Sequence, residues 1–187
     1  MLVKIQYLNN YLIYKLYIMD KTSITKIILL IVLFIVFLEN SSFNYEIDKN
    51  NPKLLIIRFS NKKLMNEELG KISYRYEGLS NLEGHNFPAS FIKKSDRIYD
   101  FVKKNNIEYV VGIYDSKFLL HEKLHAKYYF DKKYKQQIDK EWNNMEVSKK
   151  NKIITFLKNL GYNNKVLIDE YQAYRYSEKD NFFGVDL

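Results

Sequence analysis

Residues 121–125 have the sequence His-Glu-Lys-Leu-His, the pattern HExxH. On an α-helix, residues four apart lie one above the other, so His121 and His125 can both reach one tetrahedral metal ion. The helical period turns Glu122 about 100° away from them, which places its carboxylate near a metal-bound water and outside the ligand set. The pentapeptide holds two of the 3 histidines in the chain. The sequence therefore predicts a zinc site on a helix.

The patterns on both sides of this pentapeptide predict an α+β domain in which a short mixed sheet packs on a long active-site helix. Strands are predicted from β-branched and alternating residues at 53–60, 71–76 and 109–114. A loop is predicted at 77–89, where glycine and proline recur. Helices are predicted at 95–105, from Asp115 and Ser116 to about 144, at 148–160 and at 166–176. The long second helix carries HExxH in its first two turns.

A catalytic zinc ion needs a third protein ligand and one open position. Glu170 is the preferred candidate, because it lies on the separate helix predicted at 166–176. Ala173, one turn further along, is small enough to let that helix approach closely. His85 is the remaining histidine and the alternative ligand. The sequence thus places a His121, His125 and Glu170 ligand set on two helices.

HEKLHA followed by a helix with the pattern E-x-x-A resembles the gluzincin branch of zinc metallopeptidases, which pair HExxH with a downstream glutamate ligand. Within that branch, an aromatic residue after E-x-x-A is similar to the catalytic domain of anthrax-lethal-factor-like peptidases. The resemblance covers residues 109–176 and implies a zincin-like fold, zinc as cofactor and hydrolysis of a peptide or protein substrate. Tyr174 stands where many gluzincins have an aspartate that orients a histidine. Asp169, Asp115 or a backbone carbonyl remains open for that role.

The resemblance also implies roles for the side chains near the metal. Glu122 takes a proton from the attacking water and later delivers it to the leaving amine. A neutral donor stabilises the oxyanion, with Tyr174, Tyr171 and His85 as candidates in that order. The strand at 109–114 is expected to be the sheet edge with which a peptide substrate pairs.

Residues 1–42 are expected to form an N-terminal signal or anchor segment that contains a hydrophobic helix. Residues 27–38 are an unbroken apolar run that follows two lysines, and Met19 is an alternative start site. The sequence predicts membrane contact through residues 24–38, and a protein that is either a single-pass signal anchor or secreted. Residues 43–52 are predicted to be a linker, and residues 43–187 to be the metallopeptidase domain.

The amino-acid composition excludes some kinds of site and disfavours some partners. The chain has no cysteine, which excludes thiolate ligands and a cysteine nucleophile. The net charge of +8 comes from lysines scattered along the sequence, so nucleic acid is not an expected partner. Two functions remain beside a zinc peptidase. One is a catalytically inactive zincin-like module that binds a partner at a membrane. The other is a basic nucleic-acid-binding protein, which the N-terminal apolar run disfavours.

Overall fold

The computed structural model describes Ser23, residues 25–32 and residues 43–185. The chain divides into two units after residue 42, and the fold described below is that of the second. Residues 25–32 are helical. Within these described ranges, no helix has both the length and the apolar character that a membrane crossing requires. Met19 and the remainder of the predicted apolar helix lie outside the described residues.

In the described part of the chain, a mixed sheet of four strands lies at the centre of the α+β fold. The strands are β1 (Phe43–Ile47), β2 (Leu54–Phe59), β3 (Gly84–Pro88) and β4 (Tyr109–Ile113). Their spatial order is β1-β2-β4-β3. The two inner strands, β2 and β4, are parallel, and each outer strand pairs antiparallel with its neighbour. The predictions of β2 and β4 are confirmed.

The helices are α1 (Lys62–Glu77), α2 (Tyr99–Lys104), α3 (Leu119–Phe130), α4 (Lys132–Asn144), α5 (Val147–Asn159) and α6 (Leu167–Ser177). Short 3₁₀ turns at Ala89–Phe91 and Ser116–Phe118 precede α2 and α3. The α6 helix matches the predicted last helix. Gly161 follows α5 with a positive φ of 100°, as expected of a glycine just past a helix end.

Both faces of the sheet are buried, and the HExxH helix packs directly against one of them. Leu55 and Ile57 of β2 pack with the apolar side chains of α1, including Leu69. Leu54 of β2 belongs to a second cluster on the opposite face, to which Ala126 of α3 contributes. A third cluster holds α4, α5 and α6 together around Trp142, Leu157 and Tyr171. The α3 helix therefore lies between the sheet and the C-terminal helices.

The prediction of a strand at 71–76 is wrong, because these residues form the C-terminal part of α1. The Asn61 side chain caps this helix by accepting a hydrogen bond of 2.9 Å from the Leu64 backbone N–H. Met65, Leu69 and Ile72 are completely buried at helical spacing. A buried stripe of period 3.6 over sixteen residues outweighs a short alternation at its end.

The predicted linker at 43–52 and the predicted loop at 77–89 each contain a strand. β1 pairs antiparallel with β2, and β3 pairs antiparallel with β4. β1, Phe-Asn-Tyr-Glu-Ile, has the apolar and polar alternation of a strand, whereas β3, Gly-His-Asn-Phe-Pro, has weak β propensity. Pairing with a central, fully buried strand decides the conformation at such positions, and local propensity does not. β3 then forms one edge of the sheet, beside the HExxH helix.

The structure corrects the long active-site helix predicted from residue 116 to residue 144, because this helix is broken at Asp131. Asp131 has an extended backbone (φ −93°, ψ 97°), and its side chain accepts hydrogen bonds of 3.0 Å from Lys133 N–H and Tyr134 N–H. Asp131 is therefore the N-cap of α4. The break leaves α3 with twelve residues and frees α4 to pack against α6.

Burial of His85 in β3 predicts a loss of stability in acid. Nδ1 lies 2.6 Å from Ser73 Oγ, and Nε2 lies 3.1 Å from Asn66 Oδ1. Burial lowers the pKa of His85 from 6.5 to about 3. Between these values the unfolded chain binds a proton that the folded chain does not, so stability falls as the pH falls. We expect His85 to contribute a loss of about 2 kcal/mol between pH 7 and pH 5.

Urea unfolding of the full chain and of His85→Gln at both pH values measures this contribution. The variant is expected to be less stable at pH 7, because it loses shape complementarity in the core, and to have a shallower dependence on pH. Parallel pH profiles for the two proteins would contradict the assignment of acid sensitivity to His85.

Candidate metal centre

The HExxH helix brings its two imidazoles together at the wall of a cavity. Helical spacing in α3 places His125 Nε2 3.2 Å from His121 Nε2. The His125 side chain is 1% exposed and the His121 side chain 13% exposed. Two ring nitrogens therefore face one small volume that is largely removed from solvent.

The α6 helix supplies the third group, Glu170, as predicted from the sequence. Its carboxylate oxygens lie 3.8 Å from His121 Nε2 and 3.7 Å from His125 Nε2. These distances are too long for hydrogen bonds. They are close to the ~3.3–3.4 Å that separates two ligand atoms on a tetrahedral ion with bonds of about 2.0–2.1 Å. His121, His125 and Glu170 together form a group that could hold a metal ion.

The state of the Glu170 carboxylate fits a metal ion as well. The side chain is 3% exposed, and its Oε2 has no hydrogen-bond partner. A buried carboxylate oxygen without a partner is costly, and a bound cation removes that cost. Two imidazoles and one carboxylate suit zinc and also other first-row divalent ions, so the donor atoms alone do not select the metal.

Asp169 and Ser177 hold the outer nitrogens of the two imidazoles. Asp169 Oδ1 lies 2.9 Å from His125 Nδ1. The ring N–H does not point at this oxygen, so the contact is ionic and is not a hydrogen bond. Ser177 Oγ lies 3.0 Å from His121 Nδ1. Of the three possibilities left open by the sequence, the structure brings Asp169 to the histidine. Asp115 instead caps the 3₁₀ turn before α3.

The site binds protons in the absence of a metal. Burial lowers the pKa of His125, but the Asp169 and Glu170 carboxylates outweigh burial and raise this pKa to about 10. Burial raises the pKa of Glu170 above its usual range. Burial and the neighbouring His125 hold the pKa of His121 well below its usual value. A metal ion that binds here displaces protons from the cluster.

Glu122 is held between β3 and α3 by a short chain of hydrogen bonds. Asn86 Nδ2 donates to Glu122 Oε2 at 2.9 Å, and the Tyr109 hydroxyl donates to Asn86 Oδ1 at 2.7 Å. Glu122 is 5% exposed. Burial raises the pKa of its carboxyl group, although His125 and the Asn86 hydrogen bond act in the opposite direction. Glu122 therefore has a fixed orientation and one carboxylate oxygen, Oε1, outside this chain of bonds.

The fixed position of Glu122 depends on a glycine in β3. A Cβ atom at Gly84 would lie 2.2 Å from Glu122 Oε1 and 2.7 Å from Glu122 Cδ. Gly84→Ala is therefore expected to displace the Glu122 carboxylate and to lower by at least about 10-fold any hydrolysis that depends on Glu122, with a loss of ~1–3 kcal/mol in stability. The three atoms nearest to the added Cβ all belong to Glu122 and none to the candidate ligands His121, His125 and Glu170, so metal content should be unchanged.

Measurement of metal content and of turnover on the same Gly84→Ala preparation checks this expectation. Gly70→Ala in α1 is a matched control, since its Cβ would also clash, 2.7 Å from Ser80 O, but away from Glu122. Equal loss of activity in the two variants would contradict a specific effect on Glu122.

The three candidate ligands and Glu122 open onto one cavity of about 330 Å³. Its lining combines the end of α1, β3, α3, α6 and the segments that connect them, with the side chains Glu77, Leu79, Glu83, Asn86, Lys117, Leu160, Tyr162, Tyr174 and Glu178 among others. Tyr174 packs edge-on against His121, with 4.5 Å between ring centroids, and its hydroxyl lies 3.1 Å from the Tyr162 hydroxyl. Burial raises the pKa of Tyr174 to about 12, so this hydroxyl is a neutral donor at pH 7.

Three sequence expectations about the site are corrected. His85 is enclosed in the sheet by Ser73 and Asn66 and does not line the cavity. Tyr171 packs against Trp142, with 5.0 Å between ring centroids, and its hydroxyl donates to Glu141. β4 is an inner strand between β2 and β3, so its edge is not free to pair with a peptide.

Several residues of this site were not predicted from the sequence, among them Gly84, Asn86, Tyr162, Glu77 and Ser177. The first two lie in β3, which was predicted to be loop. Tyr162 follows the helix-ending glycine after α5, and Glu77 precedes the helix-ending Gly78 of α1. Gly78 and Gly161 mark helix ends in the sequence. A glycine does not, however, indicate the direction in which the adjacent side chain points.

Comparison with known proteins adds no relative: no family model, no curated protein and no solved structure matches the chain. The function is therefore inferred from the site itself. What the structure establishes is a buried His-His-Glu group that could hold a metal ion, next to a buried glutamate and two tyrosine hydroxyls.

Proposed function

We propose that the chain is a zinc-dependent peptidase of the gluzincin type, in a zincin-like fold. The observation that carries the proposal is the position of the Glu170 carboxylate, buried, without a partner on Oε2, and within 3.8 Å of the paired imidazole nitrogens. His125 and Glu170, 45 positions apart in the sequence, lie 3.7 Å from each other, close to the separation of two ligand atoms on a tetrahedral ion. His121, His125 and Glu170 would hold the zinc ion.

When bound, zinc supplies a Lewis acid that polarises a carbonyl group and lowers the pKa of water to about 7. Glu122 accepts the proton of the attacking water on Oε1, since Oε2 is engaged by Asn86. The same carboxyl group then delivers the proton to the leaving amine. The Asn86 and Tyr109 hydrogen bonds keep the carboxylate in one orientation through both transfers.

Tyr174 is the proposed donor to the oxyanion. It lines the cavity beside His121, and its hydroxyl remains protonated at neutral pH. In this proposal the Tyr162 hydroxyl, 3.1 Å away, donates to the Tyr174 oxygen and leaves the Tyr174 O–H free to donate to the oxyanion. Tyr162 is therefore a positioning residue in this proposal.

The substrate is proposed to be an extended peptide that pairs with β3, the edge strand, since β4 is internal. β3 runs along the cavity through Gly84 and Asn86, so a peptide on its edge passes the ligand cluster. We further propose that residues 24–38 anchor or export the domain, which would place this activity at or outside a membrane.

Elemental analysis of the purified full-length chain tests the metal part of the proposal, with an expected content of one zinc per chain. Mass spectrometry of a broad peptide library incubated with the same preparation tests the hydrolytic part. A chain that retains no stoichiometric zinc after dialysis against a zinc buffer contradicts the proposal.

One observation favours a second function, a metal-bound but inactive module that binds a partner. Asn86 donates to the Glu122 carboxylate, and a donor on a general base weakens its basicity. Bound zinc without turnover of any library peptide would support this alternative over the peptidase.

A further inference from the structure

Glu77 is a buried carboxylate that the proposed peptidase mechanism does not use. It is the last residue of α1, is 2% exposed, and lines the same cavity as His121. Its Oε1 atom has no hydrogen-bond partner. Among the described residues, no lysine, arginine or histidine nitrogen forms an ion pair with it. A buried carboxyl group in this condition is either protonated or ionised with a positively charged partner from outside the chain.

The surroundings of Glu77 make the need for a positive charge stronger. The residue is at the C-terminal end of a helix, where the partial charge of the helix dipole is negative. Burial raises the pKa of Glu77, and Glu170 and Glu122 raise it further, while His125 acts in the opposite direction. A divalent ion at the ligand cluster supplies two positive charges to a region with four carboxylates, those of Glu77, Glu122, Asp169 and Glu170.

Hydrogen bonds hold the backbone at Glu77 in place. Gly78 ends α1 with a φ of 85°, and its N–H bonds to Tyr74 O at 3.1 Å. Asn163 Nδ2 donates to the Glu77 backbone carbonyl at 2.6 Å. The backbone is thus fixed on both sides of Glu77, and the Glu77 side chain is part of the cavity lining.

Glu77 is also not a fourth ligand of the same ion. The three groups whose ligand atoms all lie within 4.8 Å of one another are His121, His125 and Glu170, and Glu77 is not among them. The remaining charged residues of the lining are Lys117 and the glutamates at 83 and 178. The cavity is therefore acidic beyond the metal centre, and Glu77 is its most buried free carboxylate.

We propose that Glu77 binds a positively charged nitrogen, an ammonium or guanidinium group, of the peptide that occupies this cavity. The proposal rests on the proposed peptidase function and deepens it by assigning a substrate class. The cation donates hydrogen bonds to the Glu77 carboxylate and neutralises its charge. Peptides with such a group near the scissile bond are then preferred over neutral ones of the same shape.

The test uses the zinc-loaded full-length chain and Glu77→Gln on matched peptide libraries. One pair of libraries has a free or an acetylated amino terminus, and a second pair has lysine or norleucine at each position in turn. We expect Glu77→Gln to lower kcat/KM for the preferred cationic library by at least about 10-fold and to leave its neutral counterpart unchanged. The pair that responds identifies the amino terminus or the side chain as the source of the cation.

Controls separate a specific contact from a general field and from structural damage. Glu178→Gln removes a charge from the same lining and should retain the preference. Glu77→Gln should unfold at the same or a higher urea concentration than the parent chain, because it replaces an unpartnered buried carboxyl group with a neutral amide of the same shape. Equal preference in parent and Glu77→Gln, or a loss of zinc from Glu77→Gln, would overturn the proposal.

Binding measurements keep this proposal distinct from failure of the peptidase proposal. Fluorescence anisotropy on the Glu122→Gln background, with and without Glu77→Gln, reports peptide affinity in the absence of turnover. A cationic preference that depends on Glu77 would stand even if the parent chain cleaves nothing. No preference for the cationic library on either background overturns it, whatever the catalytic result.

Discussion

Glu122→Gln is expected to lower peptide hydrolysis by about 10²–10⁴-fold while the chain keeps its full zinc content. The amide has nearly the same shape as the carboxyl group, and its oxygen can still accept the 2.9 Å hydrogen bond from Asn86. The fold around it should therefore be retained. What the variant loses is the capacity of Oε1 to accept a proton from water. Elemental analysis and turnover on the same preparation measure both quantities.

Glu83→Gln is the matched control for this experiment. Glu83 lies in the same cavity lining and pairs with Lys62 and Tyr114 at the surface, away from the ligand cluster. Loss of one exposed ion pair should change stability by less than about 1 kcal/mol and leave turnover unchanged. A Glu122→Gln variant that hydrolyses peptides as fast as the Glu83→Gln control would exclude Glu122 as the general base.

The group that could hold a metal ion was predictable from the sequence because two of its members are set by helical geometry. His121 and His125 are neighbours by the period of α3, whatever else the chain does. Glu170 required one further step, the return of a second helix, and the small buried Ala173 beside it was a usable signal of close approach. The predicted α+β class is confirmed for the same reason, since the buried strands β2 and β4 have strong local patterns.

The residues that surround the ligands were not predictable, because they lie on elements whose form is decided by distant partners. Asn86 faces Glu122 only because β3 pairs with β4, and nothing in Gly-His-Asn-Phe-Pro indicates a strand. Glu77 lines the cavity because residues 71–77 are helical, whereas their short alternation predicts a strand. Each wrong assignment therefore hid one carboxylate or amide of the site.

Asp131 shows a different reason for failure, namely competition between two local signals. Apolar residues four apart favour a helix on both sides of residue 131, but the Asp131 carboxylate accepts hydrogen bonds from two N–H groups ahead of it and starts a new helix. The change of direction matters for the site, since α4 then packs against α6, the helix that carries Glu170. Spacing alone does not decide between a capped break and a continuous helix.

Glu170→Gln is expected to abolish stoichiometric zinc binding, with an affinity at least about 100-fold lower than that of the parent chain. Loss of an outer-shell partner already costs 10–100-fold in metal affinity, and Glu170 is proposed to be a direct ligand. In the presence of a metal chelator the variant should remain folded, because the Asp169 carboxylate still lies beside His125.

Thermal unfolding with and without added zinc separates these two effects. Zinc at about 100 times its dissociation constant should stabilise the parent chain by about 2.7 kcal/mol and Glu170→Gln much less. Glu178→Gln, which lies one residue beyond α6 on the same cavity, should respond to zinc as the parent does. Zinc stabilises the chain only by binding to its folded form. A full zinc response in Glu170→Gln would therefore mean that groups other than Glu170 hold the ion.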